Sequence, residues 1–64
     1  MFITDDLDDA REIERSQRRA YPDREWMVYE REVTAGGETG TDYTVISDRE
    51  LAAFLADHPD ALEV

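Results

Sequence analysis

Carboxylates are the side chains of this sequence whose spacing could support chemistry, and they are concentrated near its start. Asp5, Asp6 and Asp9 spell D-D-x-x-D, a spacing at which clustered carboxylates could hold magnesium or another hard cation. An EF-hand calcium loop is excluded, because it would need glycine where Arg11 stands and glutamate where Gln17 stands. The N-terminus of a helix explains the same acids, since the helix dipole favours anions there. We therefore predict no metal site.

The remaining groups with chemical potential give no catalytic pattern. His58 is the only histidine and there is no cysteine, so an ordinary zinc site cannot be built. As a general base His58 would need a nucleophile partner, and Ser47 is better explained as a helix cap than as that nucleophile. The glycines at 36, 37 and 40 lack the lysine of a phosphate-binding loop and join two predicted strands. The sequence predicts no enzymatic activity and no cofactor.

Net charge restricts the class of partner. Seventeen acidic residues stand against seven arginines with no lysine, which gives a formal charge of −10. Such a chain is repelled by nucleic acid and by anionic membranes, so direct binding to either is not expected. It is attracted to strongly basic protein surfaces, many of which are themselves nucleic-acid sites. An alternative is that the acidity only keeps the protein soluble and reflects a GC-rich or halophilic source.

Length and composition predict a single compact domain over residues 1–64. A domain of this size buries only about 60% of the surface that its unfolded chain exposes, which leaves little room for a deep cleft. The absence of cysteine fits a reducing, cytoplasmic location. The opening Met-Phe-Ile-Thr lacks the features of a signal peptide, and no stretch is apolar enough for a membrane span.

The periodicity of apolar residues predicts a first helix. Leu7, Ala10, Ile13 and Gln17 recur at three- and four-residue steps, with Thr4, Asp5 or Asp6 as N-cap, and Pro22 ends the helix. Acids occupy its first turns and Arg15, Arg18 and Arg19 its last, as the helix dipole favours. Several acid–arginine pairs have the spacing for ion pairs: Asp8–Arg11, Arg11–Glu14, Glu12–Arg15 and Glu14–Arg18. Residues 1–4 are expected to form a short edge strand or a tail.

Aromatic and β-branched residues predict an antiparallel hairpin in the middle of the chain. Strands are expected over 24–34 and 41–46, joined by a glycine-containing loop longer than two residues. Pairing Val33 with Tyr43 and Arg31 with Val45 gives one apolar face and one acidic face. The apolar face would carry Met27, Tyr29, Val33, Tyr43 and Val45. The acidic face would carry Glu30, Glu32, Asp42 and Thr44, with an apolar patch of Trp26, Val28 and Ile46 at one end.

The last predicted element is a helix that opens with a capping box. In Ser47-Asp48-Arg49-Glu50 the serine side chain would accept from a backbone N–H and the glutamate would reach back to the serine N–H. Leu51, Phe54 and Leu55 form its apolar face, and His58-Pro59 ends it. The predicted fold is therefore α+β, a helix–β-hairpin–helix with a short N-terminal strand as an option. Both helices are expected on one face of the antiparallel sheet.

These elements predict a protein that acts by occupying a surface. Carboxylates would stand where nucleic-acid phosphates otherwise bind, because arginine and lysine accept both, and Trp26 or Tyr21 would supply an anchoring aromatic. We expect a monomer whose partner is a basic nucleic-acid-binding protein or complex. The expected partner-binding residues are Asp5, Asp6, Asp8, Asp9, Glu12, Glu30, Glu32, Asp42 and Trp26.

In its size, its acidic run from Asp5 to Glu12 and its compact α/β pattern, the chain resembles the small acidic proteins of phages and mobile elements, namely anti-CRISPR proteins and other DNA mimics. The arginines of residues 15–19 depart from a purely acidic mimic. The resemblance implies an inhibitor in the host cell cytoplasm that blocks access of an effector complex to DNA without catalysis. The alternative is a small accessory or dimerisation module that uses the apolar patch of Trp26, Val28 and Ile46.

Overall fold

Two helices and a four-stranded antiparallel sheet make up the protein, in a computed structural model that describes residues 1–64. The strands lie in the order β1-β3-β2-β4. The predicted α+β class and the helix–hairpin–helix order are confirmed, and the optional N-terminal strand is present. The elements are β1 (Phe2–Thr4), α1 (Leu7–Ala20), β2 (Trp26–Ala35), β3 (Glu38–Ser47), α2 (Asp48–Asp57) and β4 (Leu62–Glu63). Neither helix has the length and apolar character needed to cross a membrane.

Helix α1 begins and ends as its sequence predicts. Asp6 is the N-cap, and its carboxylate accepts from the backbone N–H groups of Asp8 at 2.8 Å and Asp9 at 3.4 Å. Tyr21 is the C-cap, directly before Pro22. Of the predicted ion pairs, Arg11–Glu14 and Glu14–Arg18 form, at 3.2 and 3.0 Å. Asp8–Arg11 and Glu12–Arg15 do not, so those acids remain in solvent.

The hairpin pairs in a register different from the predicted one. Val45 lies opposite Val28 and not Arg31, and Val33 lies opposite Gly40 and not Tyr43. The connection is a two-residue loop, Gly36-Gly37, with φ of 61° and 83°. A tight hairpin turn of this kind requires positive φ at both positions, which two glycines supply without steric cost. The prediction of a longer loop is therefore wrong, and the register error follows from it.

The observed register places the helices on opposite faces of the sheet. Val28 and Val45 share the face that packs on Ala10 of α1. Ile46 belongs to the other face, which packs on Phe54 of α2. The prediction of both helices on one face is corrected accordingly. The physical reason is that apolar residues stand at consecutive positions in β2 and β3, so both sheet faces are apolar at this end and each needs a cover.

The hairpin is longer than the strands that flank it. Strand β1 pairs with Tyr43–Val45 of β3, and β4 pairs with Tyr29 and Glu30 of β2. Beyond these rows the hairpin continues as two strands only. We call residues 31–42 the ribbon.

Helix α2 begins where predicted but without the predicted capping box. Ser47 is the N-cap, yet its side chain makes no capping hydrogen bond to the helix. Its hydroxyl instead donates to Oε1 of Glu50 at 3.5 Å, an atom that also lies 3.4 Å from the N-terminal amine of Met1. Ser47 is fully buried as the last residue of β3, so its side chain is directed by the strand and not by the helix end.

Candidate functional site

The acids at the start of α1 lie on the surface, as expected of contact residues. Asp5, Asp6, Asp8, Asp9 and Glu12 are all exposed, and none forms an ion pair. The Asp6 carboxylate is partly occupied by its capping bonds. The other carboxylates accept no protein hydrogen bond and remain available to a partner.

Glu30 and Glu32 join this group through the register of the sheet. Thr4 of β1 lies opposite Tyr43, and Tyr43 lies opposite Glu30, so the three residues form one row across the sheet. Strands are spaced about 4.8 Å apart, which puts Glu30 roughly 10 Å from the point where the chain leaves β1 for Asp5. Glu32 follows two residues later on the same face. The structure therefore brings these two glutamates to the same end of the molecule as the acids of α1.

Asp42 does not belong to the predicted acidic face. It lies opposite Arg31 on the other side of the sheet and accepts two hydrogen bonds from that guanidinium, at 3.0 and 3.1 Å. These bonds raise the pKa of Arg31 above its ordinary value, against an opposing effect of desolvation. The predicted contact role of Asp42 is corrected, because its carboxylate is already neutralised within the protein.

Trp26 is a core residue and not an exposed anchor. It is only 5% exposed and packs with Ala10, Val28 and Val45 beneath α1. Its indole N–H donates to the carbonyl oxygen of Tyr21 at 3.3 Å. Trp26 shares its face with Glu30 and Glu32 as predicted, but α1 covers this face at Trp26, so the predicted binding role is corrected. Tyr21, the other candidate anchor, is 46% exposed.

The sheet and helices together concentrate most arginines at one end of the molecule, where acids also lie: Asp23, Glu25, Asp48, Glu50 and Glu63. Helix α1 ends beside Trp26, where Arg18 donates to the Trp26 carbonyl oxygen at 2.9 Å. Helix α2 runs the opposite way, from Ser47 beside Trp26 to His58 beside Arg31. Arginines collect where α1 ends and α2 begins: Arg15, Arg18, Arg19, Arg24 and Arg49.

Acids collect at the opposite end, which we call the acidic end. Its members come from the start of α1, from the hairpin and from the segment that follows α2: Asp5, Asp6, Asp8, Asp9, Glu30, Glu32, Glu38, Asp57 and Asp60. Its arginines are paired within the protein, Arg31 with Asp42 and Arg11, which follows Asp9 on α1, with Glu14. The sequence does not predict Glu38, Asp57 and Asp60 as neighbours of the other acids, because only the long hairpin and the antiparallel course of the helices bring them together.

His58 lies in a small depression that carries no nucleophile. Nη1 of Arg31 lies 3.0 and 3.1 Å from the two ring nitrogens of His58. An atom in the plane of the ring at these distances from both nitrogens would overlap the ring carbon between them. Nη1 therefore lies over the face of the ring. The depression has a volume of about 230 Å³ and is lined by Arg31, Glu32, Asp57, His58, Pro59, Asp60 and Ala61. These side chains can bind a cationic group, but they include no hydroxyl or thiol.

A second, open groove of about 560 Å³ lies at the arginine-rich end. The Arg24 guanidinium lies over the Tyr21 ring at 5.2 Å, and Glu25 and Glu63 also line the groove. Charges of both signs thus line it in similar number, so it has no marked preference for an anion. Throughout the protein, no group of three or more histidine, aspartate or glutamate side chains is arranged to hold a metal ion.

No protein-family model matches the chain, and comparison with curated proteins and with solved structures finds no match.

Proposed function

We propose that this protein binds the basic nucleic-acid-binding surface of a larger protein or complex and blocks its access to DNA without catalysis, in the manner of anti-CRISPR proteins and other DNA mimics. The observation that supports this most directly is the separation between the acidic end, whose carboxylates are mostly unpaired, and the opposite end, where arginines and acids are similar in number. A charge that served only for solubility would not need such a separation.

The chemistry of the acidic end suits an arginine- or lysine-rich surface. Charged side chains of that kind bind carboxylates by the same charge-assisted hydrogen bonds that they make with phosphates. Because Arg31 is neutralised by Asp42, no free cation at this end opposes the approach. The net charge of −10 adds long-range attraction, which raises the association rate and weakens with salt.

The proposed contact residues are the predicted ones without Asp42 and Trp26. Five come from the first turns of α1 and the residues just before it, and two come from β2, on the α1 side of the sheet but beyond the area that the helix covers. They are Asp5, Asp6, Asp8, Asp9, Glu12, Glu30 and Glu32. All seven residues lie on the side of the sheet that carries α1.

A matched pair of charge variants tests the proposal. The first neutralises the acidic end (Asp8→Asn, Asp9→Asn, Glu30→Gln, Glu32→Gln), and the control removes the same charge elsewhere (Asp23→Asn, Glu25→Gln, Asp48→Asn, Glu63→Gln). DNA binding by a purified RNA-guided effector complex is measured with each protein as competitor at low and at moderate salt. We expect the control to compete like the wild-type protein and the first variant to lose at least about tenfold in affinity. Equal competition by the two variants, or none by the wild-type protein, would contradict the proposal.

A dimerisation module is the second candidate, and one observation favours it. The predicted apolar patch of Trp26, Val28 and Ile46 is buried, so that surface is excluded. Strand β1 is instead an edge strand with apolar side chains in solvent, including Phe2 at 41% and Ile3 at 57% exposure. Sedimentation equilibrium of the wild-type protein and of Ile3→Lys separates the candidates. A dimer that Ile3→Lys dissociates would favour this second function over the first.

A further inference from the structure

Beyond its first row, where Arg31 contacts His58, the ribbon is not covered by any helix or further strand. Every residue from 32 to 41 is exposed, and no backbone hydrogen bond outside the strand ladders involves residues 31–42. Its five rows extend roughly 16 Å at the usual rise of a strand. A two-stranded hairpin gains little stability from its own contacts. The ribbon therefore contributes little to the core, and its length is not explained by folding.

The two faces of the ribbon differ in chemistry. The face continuous with the α1 side carries Glu32 opposite Thr41 and Thr34 opposite Thr39, directly beyond Glu30. These side chains offer carboxylate and hydroxyl oxygens, which accept hydrogen bonds. The other face carries the small or apolar residues Val33, Ala35 and Gly40, together with Glu38 and the Arg31–Asp42 pair. The first face thus presents acceptors and no cation.

We propose that the ribbon is the element that enters the basic groove of the partner, an inference that rests on the proposed function and names the contact it uses. Glu30 and Glu32 accept hydrogen bonds from arginine or lysine side chains of the groove, and the hydroxyls of Thr34, Thr39 and Thr41 add further acceptors. Sites that hold a nucleic-acid strand are concave, and a projecting ribbon reaches into such a site. The start of α1 lies against the body of the protein and meets only the rim.

Charge complementarity favours a basic protein surface as the partner of the ribbon over a nucleic acid and over a second copy of this chain. A nucleic-acid groove can admit a two-stranded ribbon, but phosphates would face Glu30 and Glu32 and repel them. A second copy of this chain would bring another −10 charge to the same place. An arginine-rich protein surface supplies the opposite charge and the charged donors that Glu30 and Glu32 can accept from.

A shortened ribbon tests the inference. Deleting Glu32, Val33, Gly40 and Thr41 removes two complete rows, keeps the Gly36-Gly37 turn and leaves every remaining side chain on its present face. The deletion removes one negative charge, so Asp23→Asn serves as the control with equal charge. Amide chemical shifts of the body residues report whether the shortened protein keeps its fold.

Binding of an oligo-arginine peptide is followed at low salt by the amide shifts of the full chain. We expect the largest changes at Glu30–Glu32 and Thr39–Thr41, and about tenfold weaker binding by the shortened protein than by Asp23→Asn. Changes confined to Asp5–Asp9, or equal binding by the two variants, would overturn the ribbon inference and leave the proposed function standing. Tighter binding to duplex DNA than to the peptide, or ribbon shifts caused by self-association, would also overturn it. The ribbon could bind the peptide although the protein fails to compete with DNA for the effector complex. That result would support the ribbon contact and reject the proposed function.

Discussion

Arg31 and Asp42 face each other across the hairpin and are joined by two hydrogen bonds, from Nε to Oδ1 at 3.0 Å and from Nη2 to Oδ2 at 3.1 Å. The pair stands where the supported sheet ends and the ribbon begins. Its guanidinium also contacts the His58 ring, so one side chain links the hairpin to the end of α2. Arg31 is therefore used for structure, as is Arg11 through its pair with Glu14, which leaves the surrounding carboxylates without a competing cation.

Breaking the Arg31–Asp42 pair should destabilise the fold by a measurable coupling energy. A double-mutant cycle with Arg31→Ala and Asp42→Ala is expected to give about 1 kcal/mol, because the pair is bidentate but partly solvated. The pKa of Arg31 is higher in the folded protein than in the unfolded chain. The stability that this contributes is fully present below the pKa of Arg31 in the unfolded chain, and it is lost only as the pH rises through the pKa of Arg31 in the folded protein. Urea unfolding at about pH 7 and about pH 10 should therefore give the same difference between wild type and Arg31→Ala. A difference that shrinks markedly by pH 10 would contradict this account.

Glu14 should be the most important acid of α1 for stability. It is only 6% exposed and lies between Arg11 at 3.2 Å and Arg18 at 3.0 Å. Glu14→Gln keeps the volume but removes the charge that both arginines use, so we expect the unfolding free energy to fall by about 1–3 kcal/mol. The control Glu12→Gln, an exposed acid of the same helix without an ion pair, should change it by less than about 0.5 kcal/mol. Chemical denaturation of both variants provides the comparison, and similar values for the two would refute the structural role of Glu14.

Thr44 should tolerate replacement of its hydroxyl by a methyl group better than removal of both its hydroxyl and its methyl group. The residue is fully buried, and Oγ1 has no hydrogen-bond partner. Thr44→Val removes the unsatisfied group with little change of shape, so it should raise the unfolding free energy by about 1 kcal/mol. Thr44→Ala opens a cavity at the same site and should lower it. Thermal melts of the two variants should move in opposite directions, and a destabilised Thr44→Val would show that the hydroxyl is satisfied in solution.

The turn of the ribbon should accept asparagine but not valine. Gly36 has a φ of 61°, a left-handed conformation that costs a β-branched residue about 1–2 kcal/mol and that asparagine adopts readily. No atom lies close to the position of an added Cβ, so the cost arises from the backbone alone. Gly36→Val should therefore be destabilised and Gly36→Asn nearly neutral in urea unfolding. Equal stabilities would mean that the turn relaxes into a different, longer loop.

Local sequence signals predicted the elements well because each depends on neighbouring residues. Asp6 and Pro22 bracket α1, and Ser47 and Pro59 bracket α2, as caps and prolines do in any chain. The exposed carboxylates at the start of α1 were predictable for the same reason. The Gly36-Gly37 pair is also a sequence signal for a two-residue hairpin turn, and a two-residue loop at these glycines gives the observed register.

The sequence by itself thus determined the charge of this protein, the order of its elements and the acidic start of its first helix. Tertiary structure decided the role of Trp26 through the packing of α1, and the strand register decided the role of Asp42, because a register change of an odd number of residues moves the side chains of one strand to the opposite face. It also decided which acids share an end of the molecule, since the pairing of strands and the direction of two helices are relations between distant segments. Trp26 became core because α1 covers its face, and Asp42 became a structural partner because Arg31 lies opposite it.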